Sequence, residues 1–570
     1  MHLKQFHNYD ERKEFKTVKR KCLNKIFSMV LVGTMVMGMA ACGNTANVES
    51  AAGSKTETSV QESTETTPVT ETKAVEGEIT YPLEDTAKLT LWTNYPKVAS
   101  VYSSYKESPY HMGLQENTGV EVEWNFPAKG ASSKEAYNLL LTEEKLPHII
   151  TYSVSISDTQ LLAQDGMIWD LTDYIPEYAP DYWEFLNSDP TLLAASKADD
   201  NRIYGVKGYL ENDYNKTFVG PVIRQDWLDE CDLEAPVTLE DWENILVTFN
   251  EKYGAKLGWA KNRYTAGIAS GTGAHASLTA EFYVDENNQV KLGNMDENWK
   301  EMLEVLHKWY EMGLIDQDSF TMDDKAVRTK IANNEIGVSF TAMSQFTNWI
   351  ADAEANGADW VGIEYPRVAK GEPTVYIQSQ ETTSDIVSMI TKTCSEEEMI
   401  TALKWLNYGF TEEGYMYTNY GTENETYTLD ANGMPQWTEK MTKDPDGMSV
   451  AILKYAGTSG MPMGSIQAAH MVQIKNDEKA AAAVYKWIEN TTVGKFQYPS
   501  RAVSRTDEEA VVYSDVYTPI SSYISEMALK FILGEESLDN FDAYVAKLKE
   551  MGIEDVLKVQ QAAYDRYLAR

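Results

Sequence analysis

Five of the seven histidines lie beyond residue 41: His111, His148, His275, His307 and His470. None has a second His or a Cys at the spacing that a metal site on one helix or hairpin needs. No GxSxG, HExxH or P-loop motif occurs, and no GxGxxG stands at a strand-to-helix junction. The 87 acidic residues would allow a glycosidase pair, but no spacing singles two out. One run invites a metal: Asp285-x-Asn287-x-Gln289-x-Lys291 sets oxygen-bearing groups at alternate positions, as the first half of a calcium loop does. It lacks the central Gly, and Asp296 only loosely replaces the closing bidentate Glu. A polar hairpin turn is the expectation, with no metal, no cofactor and no covalent chemistry.

The aromatic population points elsewhere. Tyr outnumbers Phe 34 to 15, and 14 Trp join them, so most rings carry a polar handle. A sugar offers an apolar C–H face fringed by hydroxyls. Trp and Tyr cover the face, while Asn, Asp, Gln and Arg hydrogen-bond the fringe. Trp92, Asn94 and Tyr95 leave one strand candidate, and Tyr152 leaves another. Arg224 ends a third, two residues before Asp226. Trp259, Phe340, Tyr420 and Trp437 occupy less periodic sequence. These ten are the candidate ligand contacts. The competing role for each ring is packing within its own layer; for Arg224 it is a salt bridge.

The elements that must position them alternate short apolar runs with amphipathic helices, the pattern of an α/β protein. Strands are expected at 88–93, 120–126, 148–153, 218–224, 335–341 and 359–365. A capping box is expected at Thr238 and Asp241, ahead of a stripe through Trp242, Ile245, Leu246 and Phe249. Trp299, Met302, Leu303, Leu306 and Tyr310 repeat the stripe before Gly313. Ser395 and Glu398 open another helix, and the last fifty residues read as helical. Trp242, Trp299, Trp309 and Trp405 are expected in the core. No repeat of solenoid or propeller period is found.

The chain has 570 residues and a net charge of −37. Residues 1–41 carry eight basic and three acidic side chains, which leaves the remainder at −42. That excess argues against nucleic acid or an anionic membrane surface as partner. The basic start runs into an apolar stretch, Ile26 to Ala41, too short for a comfortable span. It ends in Met39-Ala40-Ala41-Cys42-Gly43, which resembles a bacterial lipobox. Residues 1–41 are therefore expected to be a lipoprotein signal peptide, with Cys42 diacylated as the membrane anchor. Residues 42–79, rich in Ser, Thr and Glu, are expected to be a disordered tether. Cys231 and Cys394 are expected as free thiols rather than a bridge.

Several segments resemble the family 1 extracellular solute-binding proteins of bacterial ABC importers, and among them the long LipO-type lipoproteins. They are LPHIITYS (146–153), GMIWDLTDYI (166–175), RIYGVKG (202–208), VIRQDWLDECDLEAPVTLEDW (222–242), LHKWYEMGLIDQDSF (306–320), NYGTENETYTLDANGMP (419–435) and the tail from 531. One departure is Gly421-Thr-Glu-Asn424, where the family usually has a Gly-Ile-Glu-Gly-like turn. The resemblance implies a two-lobed periplasmic-binding-protein-like (type II) α/β fold over residues 80–570, closing on a ligand between its lobes. The first lobe is expected over about 80–210 plus 385–410 and part of the C-terminal region, the second over about 211–384 plus the remainder. It further implies a monomer on the outer face of the cell membrane that passes an oligosaccharide to an ABC permease. The alternatives are an oligopeptide or other small solute, or a surface glycan-active enzyme.

Overall fold

A computed structural model describes residues 79–570 apart from 85, 94–100, 103, 129, 211, 262–265, 376–380, 382, 432, 458–463 and 467–477. The expected signal, the lipidation candidate Cys42, the tether up to residue 78, and Asn94 and Tyr95 all lie outside the described residues. The first strands are β1 (Leu89–Thr93), β2 (Val122–Asn125), β3 (Ile149–Ser153) and β4 (Val206–Leu210). Then come β5 (Val219–Arg224), β6 (Lys256–Trp259), the hairpin β7 (Phe282–Val284) and β8 (Val290–Leu292), β9 (Ile336–Ala342) and β10 (Trp360–Gly362). The chain continues through β11 (Thr383–Ile390), the hairpin β12 (Tyr427–Leu429) and β13 (Pro435–Trp437), and β14 (Ser465–Ile466).

These strands build two principal sheets, ordered β14-β4-β11-β3-β1-β2 and β10-β5-β9-β6. Their central strands are buried on both faces, which is why these read as nearly continuous apolar runs. Ile149 enters a core with Leu89, Tyr182 and Leu403, while its neighbour Ile150 enters another with Tyr137, Leu162 and Met389. That is the period of two expected of a strand. The second sheet separates a core around Trp242, Trp299 and Phe531 from one around Trp349, Trp360 and Trp487.

The chain passes between the sheets three times: from Leu210 to Val219, from Gly362 to Thr383, and from Ile466 to Glu478. The third lies farther along the chain. The helix Glu396–Asn407 and Tyr417 of the helix Glu412–Tyr420 pack into the first sheet's core. The helix Glu478–Ile488 packs against the second sheet, where Trp487 Nε1 donates to the Pro221 carbonyl at 2.9 Å. Later helices, Thr518–Leu533 and Phe541–Glu550, also contribute to a second-sheet core. Segments past residue 410 thus pack on the first sheet as well as on the second. Gly220 lets the Trp487 helix approach, since a Cβ there would lie 2.4 Å from the indole ring.

Local signals formed as read. Thr238 and Asp241 make a reciprocal capping box, as do Ser395 and Glu398. The Gly-Thr-Glu-Asn departure keeps its turn because Asn424 takes the left-handed position, at φ 62°, which Asn tolerates better than most residues. Cys231 and Cys394 are free thiols. Among the described residues, no helix is long and apolar enough to cross a membrane.

Candidate functional site

Strand register decides which sheet ends face the crossings. β1, β2 and β3 run parallel, while β11 runs antiparallel to both β3 and β4. The carboxyl ends of β1, β3 and β4 therefore share the edge from which β4 departs for the second sheet. In that sheet Val219 pairs with Ala342 and Trp259 with Phe340. The carboxyl ends of β6 and β9 and the start of β5 lie on its crossing side. Ligands of open α/β sheets bind outside the carboxyl ends of strands, so the first-sheet edge at Thr93 and Ser153 is the place to look.

An aromatic cluster stands there. Tyr152 stacks on Tyr137 with centroids 4.1 Å apart and planes at 18°, and Trp92 meets Tyr152 edge-on at 5.8 Å. Trp92 is only 6% exposed, so it braces the pair, whereas Tyr152 is partly open to solvent. Burial raises the Tyr152 hydroxyl above its ordinary pKa, leaving it a neutral donor and acceptor at physiological pH. Behind the cluster, Thr151 Oγ1 and Ser388 Oγ share a buried hydrogen bond of 2.6 Å between β3 and β11. Exposed Asn125 and Ser153 end the neighbouring strands. A neutral aromatic platform edged by polar strand ends can stack and hydrogen-bond a small solute. Tyr137 was missed from sequence because its helix, Ser133–Leu140, meets β3 only through the fold. Its one local signal is a Tyr among the apolar positions of that helix.

The remaining candidates are dispersed. Arg224 ends β5 on the side opposite the crossings, and Asp226 follows it two residues later; the two form a salt bridge. Arg224, 5% exposed, grips Asp226 through Nε at 2.7 Å and Nη2 at 2.5 Å. Its Nη1 donates to Asn334 Oδ1 at 2.6 Å, and the guanidinium lies 4.0 Å over Trp227. Trp259 and Phe340 reach the crossing side with their backbone only. Trp259 is buried edge-on to Phe320, and Phe340 stacks on Trp242 at 5.7 Å in the second-sheet core. Tyr420, fully buried, packs 5.0 Å from Trp437 beside the β12–β13 hairpin. The structure thus brings Trp92 and Tyr152 together and holds the other described candidates in packing roles.

The oxygen-rich loop is a turn. Asp285 Oδ1 accepts the backbone N–H groups of Asn287 and Gln289, and Lys291 Nζ lies 3.6 Å from Oδ2. Asp296 faces away, accepting from the Tyr283 hydroxyl at 2.9 Å.

No family model matches the sequence. The chain is 22% identical over 518 residues to the fructooligosaccharide ABC transporter substrate-binding protein FusA of Streptococcus pneumoniae, a match covering 86% of this chain and 92% of that protein. It is 23% identical over 485 residues to the lipoprotein LipO of Bacillus subtilis, covering 79% and 88%. Among solved structures, an HMO-binding, ABC-transporter-associated solute-binding protein of Bifidobacterium longum infantis aligns with TM-score 0.68 and 18% identity, over 85% of this chain and 99% of that one. FusA in complex with kestose aligns with TM-score 0.62 and 19% identity, over 85% and 100%. Two sheets joined by these crossings make a two-lobed α/β fold, the fold of the solute-binding proteins it aligns with. More narrowly, the curated relatives it is similar to are substrate-binding proteins and lipoproteins, among them one of an ABC transporter, in line with the sequence resemblance.

Proposed function

We propose that this protein captures a neutral oligosaccharide between its lobes and hands it to an ABC permease, held at the outer membrane face through a diacylated Cys42. The observation that carries the reading is the Trp92–Tyr137–Tyr152 cluster at the strand ends beside the crossings. A partly open phenol braced by two rings suits the apolar face of a sugar. Closure of lobes around a solute is what lets a permease distinguish loaded from empty protein, because a ligand shifts that equilibrium by its differential affinity for the closed form. The relatives named for fructooligosaccharide and HMO binding support a glycan over a peptide.

The test is a thermal-shift screen of the full chain in detergent against neutral glycans, uronate oligomers, amino acids and peptides, with product analysis of each glycan. A ligand at 100 times its dissociation constant stabilises by about 2.7 kcal/mol. A shift with neutral glycans and unchanged glycan is expected. Shifts only with peptides, or release of cleaved products, would overturn the reading.

A further inference from the structure

Glu381 is a buried carboxyl that the aromatic site does not use. It lies two residues before β11, on the crossing from the second sheet to the first, and is 8% exposed. Ser500 Oγ donates to its Oε1, and the Arg501 backbone N–H donates to Oε2 at 3.1 Å. Both donors follow the helix Glu478–Ile488, which packs on the second sheet. The cations whose charge it feels are Arg501 and Lys207, and Lys207 belongs to β4 of the first sheet, with its ammonium donating to the Ala195 carbonyl at 2.7 Å. Among the described residues, the Tyr498 and Tyr567 hydroxyls also feel it, each raised by burial with the Glu381 charge adding to it.

The seam around it is tied from both sides. Tyr498, Ala502, Tyr564 and Tyr567 pack with Ala195 of the first lobe. Asp199, just beyond the helix Pro190–Ser196, receives Arg566 Nε at 3.0 Å and Arg570 Nη2 at 2.7 Å from the last helix and its end. Lys197 Nζ donates to the Arg570 carbonyl at 3.0 Å. Movement of one lobe against the other would work along this seam, and the Ser500–Arg501 segment that meets Glu381 lies within it.

We propose that Glu381 is a positioning residue of the hinge, which keeps its proton while the Ser500–Arg501 segment covers it and releases that proton when the lobes move and water enters. The balance between lobe arrangements is then set by pH. Burial is the largest influence on the carboxyl and raises it from 4.5 to about 6, against the hydrogen bonds and positive charge that lower it. A group raised in the covered arrangement favours that arrangement where it is protonated. The preference is therefore full below about pH 4.5 and gone above about pH 6, and it amounts to about 30-fold in the equilibrium between arrangements.

The inference rests on the two-lobed reading and needs no sugar, so it is tested without ligand. Spin labels at Lys134→Cys in the first lobe and Glu301→Cys in the second, in a Cys231→Ser background, report the interlobe distance by pulsed EPR from pH 4.5 to 7.5. The distribution should shift with a midpoint between pH 4.5 and 6. Glu381→Gln should hold the low-pH distribution throughout. Ser500→Ala, which removes a donor to the carboxylate and keeps the acid, should move the midpoint upward. A pH-invariant distribution in the unmodified chain, or a Gln variant that tracks it, overturns the proposal. Glycan binding in the screen above is an independent result, so failure of either idea leaves the other standing.

Discussion

The Arg224–Asp226 pair can be used to separate ligand chemistry from architecture, because the sequence permits both and the pair lies at the sheet end away from the crossings. Asp226→Asn keeps the side chain's size but removes the charge and turns an amide N–H₂ toward a guanidinium. Removing one partner of a buried pair costs about 3–5 kcal/mol. Three observations lower that figure here. The Asp226 side chain is 31% exposed, Asn334 still accepts from Nη1, and the Trp227 face remains beneath the cation. One adds to it: Asp226 Oδ1 also accepts the Asp359 backbone N–H at 3.2 Å, next to the start of β10. The expected loss is about 2–3 kcal/mol at pH 7.

Its pH dependence has a definite sign. Burial pushes the Asp226 carboxyl up, but the Arg224 hydrogen bonds and charge outweigh it and leave the pKa below the ordinary value. Stability from the pair is therefore present above the unfolded pKa, about 3.9, and fades as pH falls through the folded one. Urea unfolding of the unmodified chain and Asp226→Asn should differ at pH 7 and converge as pH falls below about 3.9. Glycan affinity, measured by calorimetry on the folded variant, should stay within about twofold, since the pair lies at the sheet end away from the crossings. A stability change below about 0.5 kcal/mol, or a tenfold loss of affinity with stability intact, would refute the assignment.

Tyr152→Ala should weaken glycan binding about tenfold, near 1.4 kcal/mol, by removing the open ring, whereas Tyr152→Phe should stay within a few-fold; calorimetry compares the two. Gly220→Ala should destabilise by about 1–3 kcal/mol in urea unfolding, because the added methyl meets the Trp487 ring. Chelation with EDTA should leave thermal stability unchanged, since backbone N–H groups and Lys291 already engage Asp285. A fall in melting temperature restored by calcium would show that the loop binds a cation.

What was legible in the sequence followed from interactions close along the chain. The capping boxes at Thr238 and Ser395 involve residues three apart, and both formed. Strands β1, β3, β5 and β9 were readable because both faces of each are covered, so apolar residues run almost without interruption. β6 escaped notice because its four residues include Gly258 and carry little strand preference. The site was harder for a related reason. Tyr137 reaches Tyr152 from a helix fifteen residues earlier, and only parallel pairing of β1 with β3 sets Trp92 beside them. Which end of its sheet Arg224 occupies is not a local property, because its strand's direction relative to the crossings depends on pairing with β9, more than a hundred residues away.

The acidic excess also acquires a structural account. Many carboxylates occupy first turns of helices: Glu240 and Asp241, Glu396 to Glu398, Glu412 and Glu413, Asp507 to Glu509, Glu554 and Asp555. There they complement the positive end of the helix dipole, so part of the negative charge builds the fold. Several basic residues are drawn back to these same carboxylates, Lys370 to Asp241 and Arg566 to Glu509 among them. The field that reaches a ligand is therefore that of an anionic body with part of its positive charge tied up. It repels polyanions, and a neutral glycan feels little of it. Binding at the Tyr152 platform should accordingly be insensitive to ionic strength, measured by calorimetry between 20 and 500 mM salt. Affinity that changed steeply over that range would show that charge, rather than stacking, holds the ligand.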